Sequence, residues 1–223
     1  MKNKIEVNLN KINQPYRRFI KQTIKLAKKN NVRLSLLNER QVEYDDNGGK
    51  CNGFFCGDED SEGPQLAVAT KQPFKKWFSV FIHEAAHMDQ WLEKDPLWDG
   101  PDYGGEDGGS LIELWLSGHI QLNESQLKQY MADMRDVEVD CEKRTVQKIL
   151  KEKLPMSTDY YTQRANSYLW FYTYMIETRK WYTIGKEPYN TPEIVEEMST
   201  EFARDYNRIP QTIKAIFNAY MKY

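Results

Sequence analysis

QLAVATKQPFKKWFSVFIHEAAHMDQWL, residues 65–92, changes hydrophobic period partway along. Its first residues form a short apolar run closed by Pro73, which reads as a strand. From Phe74 the period becomes helical. Phe74, Trp77, Phe78, Phe81, Ile82, Ala85, Met88, Trp91 and Leu92 wrap most of a cylinder, so this helix is expected to be buried on several sides. A strand feeding a buried helix predicts an α+β fold.

Upstream, PYRRFIKQTIKLAKKN places Phe19, Ile20, Ile24 and Ala27 at helical spacing behind Pro15, a residue tolerated in a first turn. VRLSLLNE alternates Val32, Leu34 and Leu36 with polar neighbours, DDNGGK (45–50) supplies turn residues, and CNGFFC (51–56) is a further apolar run. A small mixed sheet of three or four strands is expected. Downstream, DPLWDGPDYGGEDGGS is a loop rich in Gly and Asp, and the remainder is helical in pattern. Asn123 opens a long helix to about residue 153, with Gln126 at the capping-box position. Another helix is expected over about 158–182, a third start at Thr191 and Pro192, and a short helix at PQTIKAIFNAYMKY. The whole is read as one domain over 1–223: helix, small sheet and buried helix in 1–93, loop and short helix in 94–122, and a helical part in 123–223.

The bulk properties exclude several classes. A net charge of -2 provides no basic field for a phosphate backbone, so nucleic acid is not an expected partner. Nowhere do about 18 apolar residues follow one another as a membrane span requires, and the start lacks a signal-like apolar run. Three cysteines, Cys51, Cys56 and Cys141, suit a reducing compartment with free thiols, although a local Cys51–Cys56 pair is conceivable. A cytoplasmic location is expected. No serine-hydrolase elbow, phosphate loop or dinucleotide fingerprint occurs.

Two of the three histidines fall four residues apart in the buried helix. Such spacing is just over one turn, so His83 and His87 project from one face and can offer imidazole nitrogens to a single tetrahedral ion. Glu84 is rotated by about 100° from His83, beyond use as a third ligand with them but within reach of a water in the ion's open position. That carboxylate can accept the water's proton as it attacks a carbonyl and pass it to the leaving amine. The competing reading is a buried helix whose imidazoles only hydrogen-bond within a core.

HEAAH resembles the HExxH signature of the zincin metallopeptidases. The resemblance implies Zn2+ held by His83 and His87, Glu84 as general base, a peptide or protein substrate, and a strand before the helix that pairs with extended substrate at the cleft edge, the place QLAVAT occupies. A third protein ligand is then required. MDQWLEKDPLW offers neither the glycine nor the third histidine of the metzincin pattern. MRDVEVDCEKRTVQKIL is similar to the gluzincin pattern, which implies Glu138 as ligand and Glu142 as the group that orients the first histidine. Glu138 borders an apolar face of Met134, Val137, Cys141 and Ile149. His119, Asp140, Glu142 and Asp89 stay open as alternatives, and Glu138, Asp140 and Glu142 could instead be a solvated face.

HEAAH with MDQW, then RDVEVDCEKR, then RANSYLWFYTY, also resembles uncharacterised metallopeptidases encoded by tailed bacteriophages, over about residues 50–185. Tyr161, Tyr168 and Tyr172 recur at helical spacing and are expected as core; zincins commonly donate to the oxyanion from a tyrosine or histidine, and Tyr161, Tyr168 or Arg164 could do so here. The loop 95–109, with Asp99, Asp102, Glu106 and Asp107, reads as a mobile rim or, without EF-hand spacing, a calcium site. The expected function is zinc-dependent peptide-bond hydrolysis; the alternative is a catalytically inactive, zinc-stabilised binding or inhibitor protein.

Overall fold

The structure, a computed structural model, describes residues 3–44, 49–57, 63–183 and 185–221. The chain divides into two compact units, residues 1–98 with 147–155, and residues 99–146 with 156–223.

In the first unit β1 (Lys4–Ile5) leads through α1 (Gln14–Lys29) to β2 (Arg33–Leu37). Pro15 lies in the first turn of α1, where its missing N–H costs no helical bond. A two-stranded antiparallel ribbon follows, β3 (Val42–Glu43) against β4 (Lys50–Cys51). The turn read in DDNGGK falls largely on 45–48, outside the described residues; the ribbon resumes at Gly49, whose carbonyl accepts from Tyr44 N. β5 (Gly53–Cys56) and β6 (Gln65–Ala69) precede α2 (Phe74–Glu93). The main sheet has the order β1-β2-β6-β5, with β1, β2 and β6 parallel and β5 antiparallel to β6, so it is the mixed sheet the sequence predicts.

One expectation is corrected here. The strand before α2 is not an edge: β6 is bonded to β2 on one side and to β5 on the other, and among the described residues β1 and β5 are the terminal strands. Ser35 is buried with Leu34 and Leu36, because β2 is an interior strand.

α1 packs on β2, and α2 packs on β5 and β6. The two helices meet through aromatic edges. Tyr16 sits 4.8 Å from Phe74 and 4.7 Å from Phe78, and Phe19 sits 6.0 Å from both Phe78 and Phe81. Such edge-to-face pairs add about 0.5–1.5 kcal/mol each beyond area burial. The Tyr16 hydroxyl donates to Pro155 O at 2.8 Å, tying the segment 147–155 to this unit.

A single turn, α3 (Pro96–Asp99), closes the first stretch of the first unit, and the second unit is helical: α4 (Gly108–Leu116), most of α5 (Glu124–Lys151), α6 (Thr158–Thr178), α7 (Pro192–Val195) and α8 (Gln211–Tyr220). Ile112, Met131, Leu169, Phe171, Ile194 and Phe217 form the core of this second unit. α5 opens with the expected capping box, Gln126 N donating to Asn123 Oδ1 at 2.9 Å and Asn123 N to Gln126 Oε1 at 3.1 Å.

α6 ends four residues earlier than its pattern suggests. Arg179 takes a left-handed conformation (φ 52°), and its guanidinium donates to Trp115 O at 2.7 Å and lies over the Trp115 ring. The helix expected at Thr191 lasts only one turn. Beyond it side chains claim the backbone: Asn166 Nδ2 donates to Ser199 O and Glu201 O, and Gln163 Nε2 to Met198 O. The three cysteines are free thiols. Among the described residues no helix is long and apolar enough to cross a membrane.

Candidate metal centre

α2 is buried along most of its length, which places its few polar side chains in a dry setting. His83, His87 and Gln90 occupy positions i, i+4 and i+7, one face of the helix. The ring nitrogens His83 Nε2 and His87 Nε2 stand 3.2 Å apart, with the rings nearly perpendicular. The other nitrogen of His87, Nδ1, is 2.8 Å from Gln90 Oε1. Trp98, on α3, approaches the His87 ring to 5.6 Å. Glu84, His87 and Gln90 are 7%, 7% and 0% exposed, and His83 is half-buried.

This donor set fits a divalent ion. Two imidazole nitrogens bound at about 2.0–2.1 Å to one tetrahedral zinc lie about 3.3–3.4 Å apart, close to the spacing seen here. The contact would be unfavourable between two bare lone pairs; a shared cation or a single shared proton satisfies it.

Several neighbours of α2 set its surroundings. Gly53 of β5 is pressed onto the helix: a Cβ there would meet Val80 Cγ1 at 2.6 Å and Ala67 O at 3.0 Å. Cys51 lies near Glu84. Burial first, and the Glu84 charge second, push its thiol up to about 12, so it stays protonated at neutral pH. Phe55 stacks obliquely on Trp91 and Trp98 at 5.8 Å and 5.3 Å, continuing an aromatic wall past His87. Asp89, one of the open third-ligand alternatives, is ion-paired with Lys148.

In the second unit the acidic stretch of α5 has its own chemistry. Glu142 is buried and its Oε2 accepts from Tyr161 OH at 2.6 Å, so the residue read as a supporting carboxylate and one read as an oxyanion donor are partners. Glu138 is half-buried, with Oε2 out of solvent. Tyr168 meets Tyr172, hydroxyl to hydroxyl, at 2.6 Å; burial first, then Tyr172 and Glu138, raise its phenol well above the ordinary range. Arg164 is turned to Tyr189 O at 3.0 Å and lies over the Tyr189 ring. Asp140 is ion-paired with Arg144, and His119 is exposed after α4, 2.7 Å from Ser117 Oγ.

In the loop 95–109 the acids serve turns and caps. Asp102 accepts from Gly105 N, Asp107 caps α4 at Ser110 N, and Asp95 accepts from Leu97 N.

Three neighbours escaped the sequence reading. Gln90 was legible in principle, as a polar residue seven positions beyond His83 on an apolar helix. Cys51 was not, because only the ribbon β3–β4 carries it toward Glu84. Trp98 was assigned to a loop. Comparison with known proteins adds nothing to this geometry: no protein-family model, no curated protein and no solved structure matches the chain.

Proposed function

We propose that the protein is a zinc-dependent hydrolase of peptide bonds. The observation that carries this reading is the 3.2 Å approach of His83 Nε2 and His87 Nε2 on one buried helical face, with Glu84 adjoining. Zinc held by these residues would supply a Lewis acid for the scissile carbonyl and a means of lowering the pKa of water toward about 7.

The chain's own residues do the rest. His83 and His87 would hold the ion, and the resemblance of MRDVEVDCEKRTVQKIL to the gluzincin pattern implies Glu138 as the third protein ligand. Glu84 takes the proton of the attacking water on its carboxylate and returns it to the nitrogen of the leaving amine, so one group serves as base and then acid. Extended substrate finds its backbone partner on β5, the terminal strand of the described sheet that packs against α2, rather than on β6.

Glu84→Gln tests the assignment. It keeps the shape and the two imidazoles, so zinc content is expected to stay at the wild-type level while peptide hydrolysis falls by about 10²–10⁴. Wild-type protein that binds zinc yet cleaves no unfolded protein or peptide library would replace this reading by the zinc-stabilised binding protein.

A further inference from the structure

We infer that Gln90 is the positioning residue of the centre, a neutral carboxamide that holds His87 in the Nδ1–H tautomer and so aims its Nε2 lone pair at the ion.

A neutral imidazole has two tautomers, and the nitrogen left free for a metal is decided by the hydrogen bond at the other. Gln90 Oε1 is 2.8 Å from His87 Nδ1. A carboxamide oxygen only accepts, so Nδ1 must donate and carry the proton. Nε2 is then a lone pair, on the side where His83 Nε2 stands 3.2 Å away. Free imidazole side chains in water do not enforce this choice; the fully buried amide does.

The position is made rigid by the end of α2. Gln90 O accepts from Asp95 N at 2.9 Å and from Lys94 N, and Lys94 takes the left-handed conformation (φ 52°) that closes the helix. The residue that orients His87 therefore sits on the last well-anchored turn, and the Trp98 ring bounds the imidazole at 5.6 Å. A neutral acceptor also differs chemically from a carboxylate. It orients the ring without adding a second negative charge to the helix that already buries Glu84, and it leaves the imidazole less electron-rich, so a bound ion keeps more of its Lewis acidity.

The zinc part of this inference rests on the function proposed above, but the tautomer part does not, and the experiment separates them. Full-length protein labelled with 15N at histidine and stripped of metal by chelator is examined by long-range 1H–15N NMR at about pH 8.5, above the ordinary imidazole range. Three histidines are present, and His119→Gln assists assignment. His87 is expected in the Nδ1–H form. Gln90→Met, close in volume and without an acceptor of comparable strength, is expected to shift His87 toward the Nε2–H form and to weaken zinc binding about 10–100-fold in a chelator competition. Gln90→Glu restores the acceptor and is expected to recover the tautomer and at least wild-type zinc affinity. Tautomer rescue by the acid but not by Met would not follow from packing alone.

His87 found as the Nε2–H tautomer in the wild-type protein overturns the inference without any variant. So does a Gln90→Met protein with unchanged tautomer and zinc affinity. Wild-type protein that takes up no zinc, yet shows the Nδ1–H tautomer, sinks the proposed function and leaves the orientation of His87 standing.

Discussion

α2 and α5 both bury polar side chains, and they satisfy them in opposite ways. On α2 the two imidazoles find partners on the same helix: His83 meets His87 four residues on, and His87 meets Gln90 three residues on. On α5 the buried Glu142 and Arg135 find partners far along the chain. Glu142 is held by Tyr161, and the buried Arg135 donates to Tyr206 O at 3.0 Å and to Asn207 Oδ1. A site whose geometry follows from helical pitch alone is preassembled as soon as the helix forms. A carboxylate that depends on a phenol from another helix is set only when the whole helical unit packs. The first arrangement suits a centre that must be ready for an ion; the second couples acid chemistry to tertiary stability.

That contrast can be sharpened by substitution. The largest effect is the one on catalysis, since Glu84→Gln should remove hydrolysis without disturbing zinc. Next, Glu138→Gln is expected to weaken zinc binding by at least about tenfold, the loss of a charged ligand. Unchanged affinity in chelator competition would remove Glu138 from the ligand set. Third, Tyr161→Phe deprives the buried Glu142 of its donor and should cost about 1–3 kcal/mol in urea unfolding. Tyr160→Phe, one residue away but 54% exposed, should stay within about 0.5 kcal/mol. Equal effects would break the claim that the buried Glu142 relies on a distant partner.

The smallest effect concerns Cys51. Its thiol is raised from 9.0 to about 12 by burial and by Glu84, a folded-state pKa above the unfolded one. Its contribution to stability is therefore complete below about pH 9 and is lost as pH rises through 12. Alkylation of Cys51 by iodoacetamide at about pH 8 is expected to be slower than in unfolded chain, and Glu84→Gln, by removing the charge, should speed it. An unchanged rate in that variant would separate Cys51 from Glu84.

The same contrast explains what could be read without coordinates. The period change at Phe74, the i, i+4 imidazoles, the capping box at Asn123 and Gln126, and the mixed sheet are short-range patterns, and each appears in the structure. The misreadings are all long-range. β6 looked like a cleft edge because the sequence orders strands along the chain, whereas the sheet inserts it between β2 and β5. α6 stops at Thr178 because a carbonyl of α4 binds Arg179, and α7 is a single turn because Asn166 and Gln163 bind the chain that follows it. Tyr161 was a core residue with a possible catalytic hydroxyl; its bond to Glu142 needed two helices to pack.

The central claim is that His83 and His87 jointly hold a divalent ion. Its most direct test is the zinc stoichiometry of purified protein, measured by elemental analysis after equilibration with zinc and gel filtration, for wild type and for His83→Ala and His87→Ala. The account predicts one zinc per wild-type chain and none retained by either variant, with helical content unchanged. Wild-type protein that emerges without zinc, or single variants that keep a full equivalent, would contradict it.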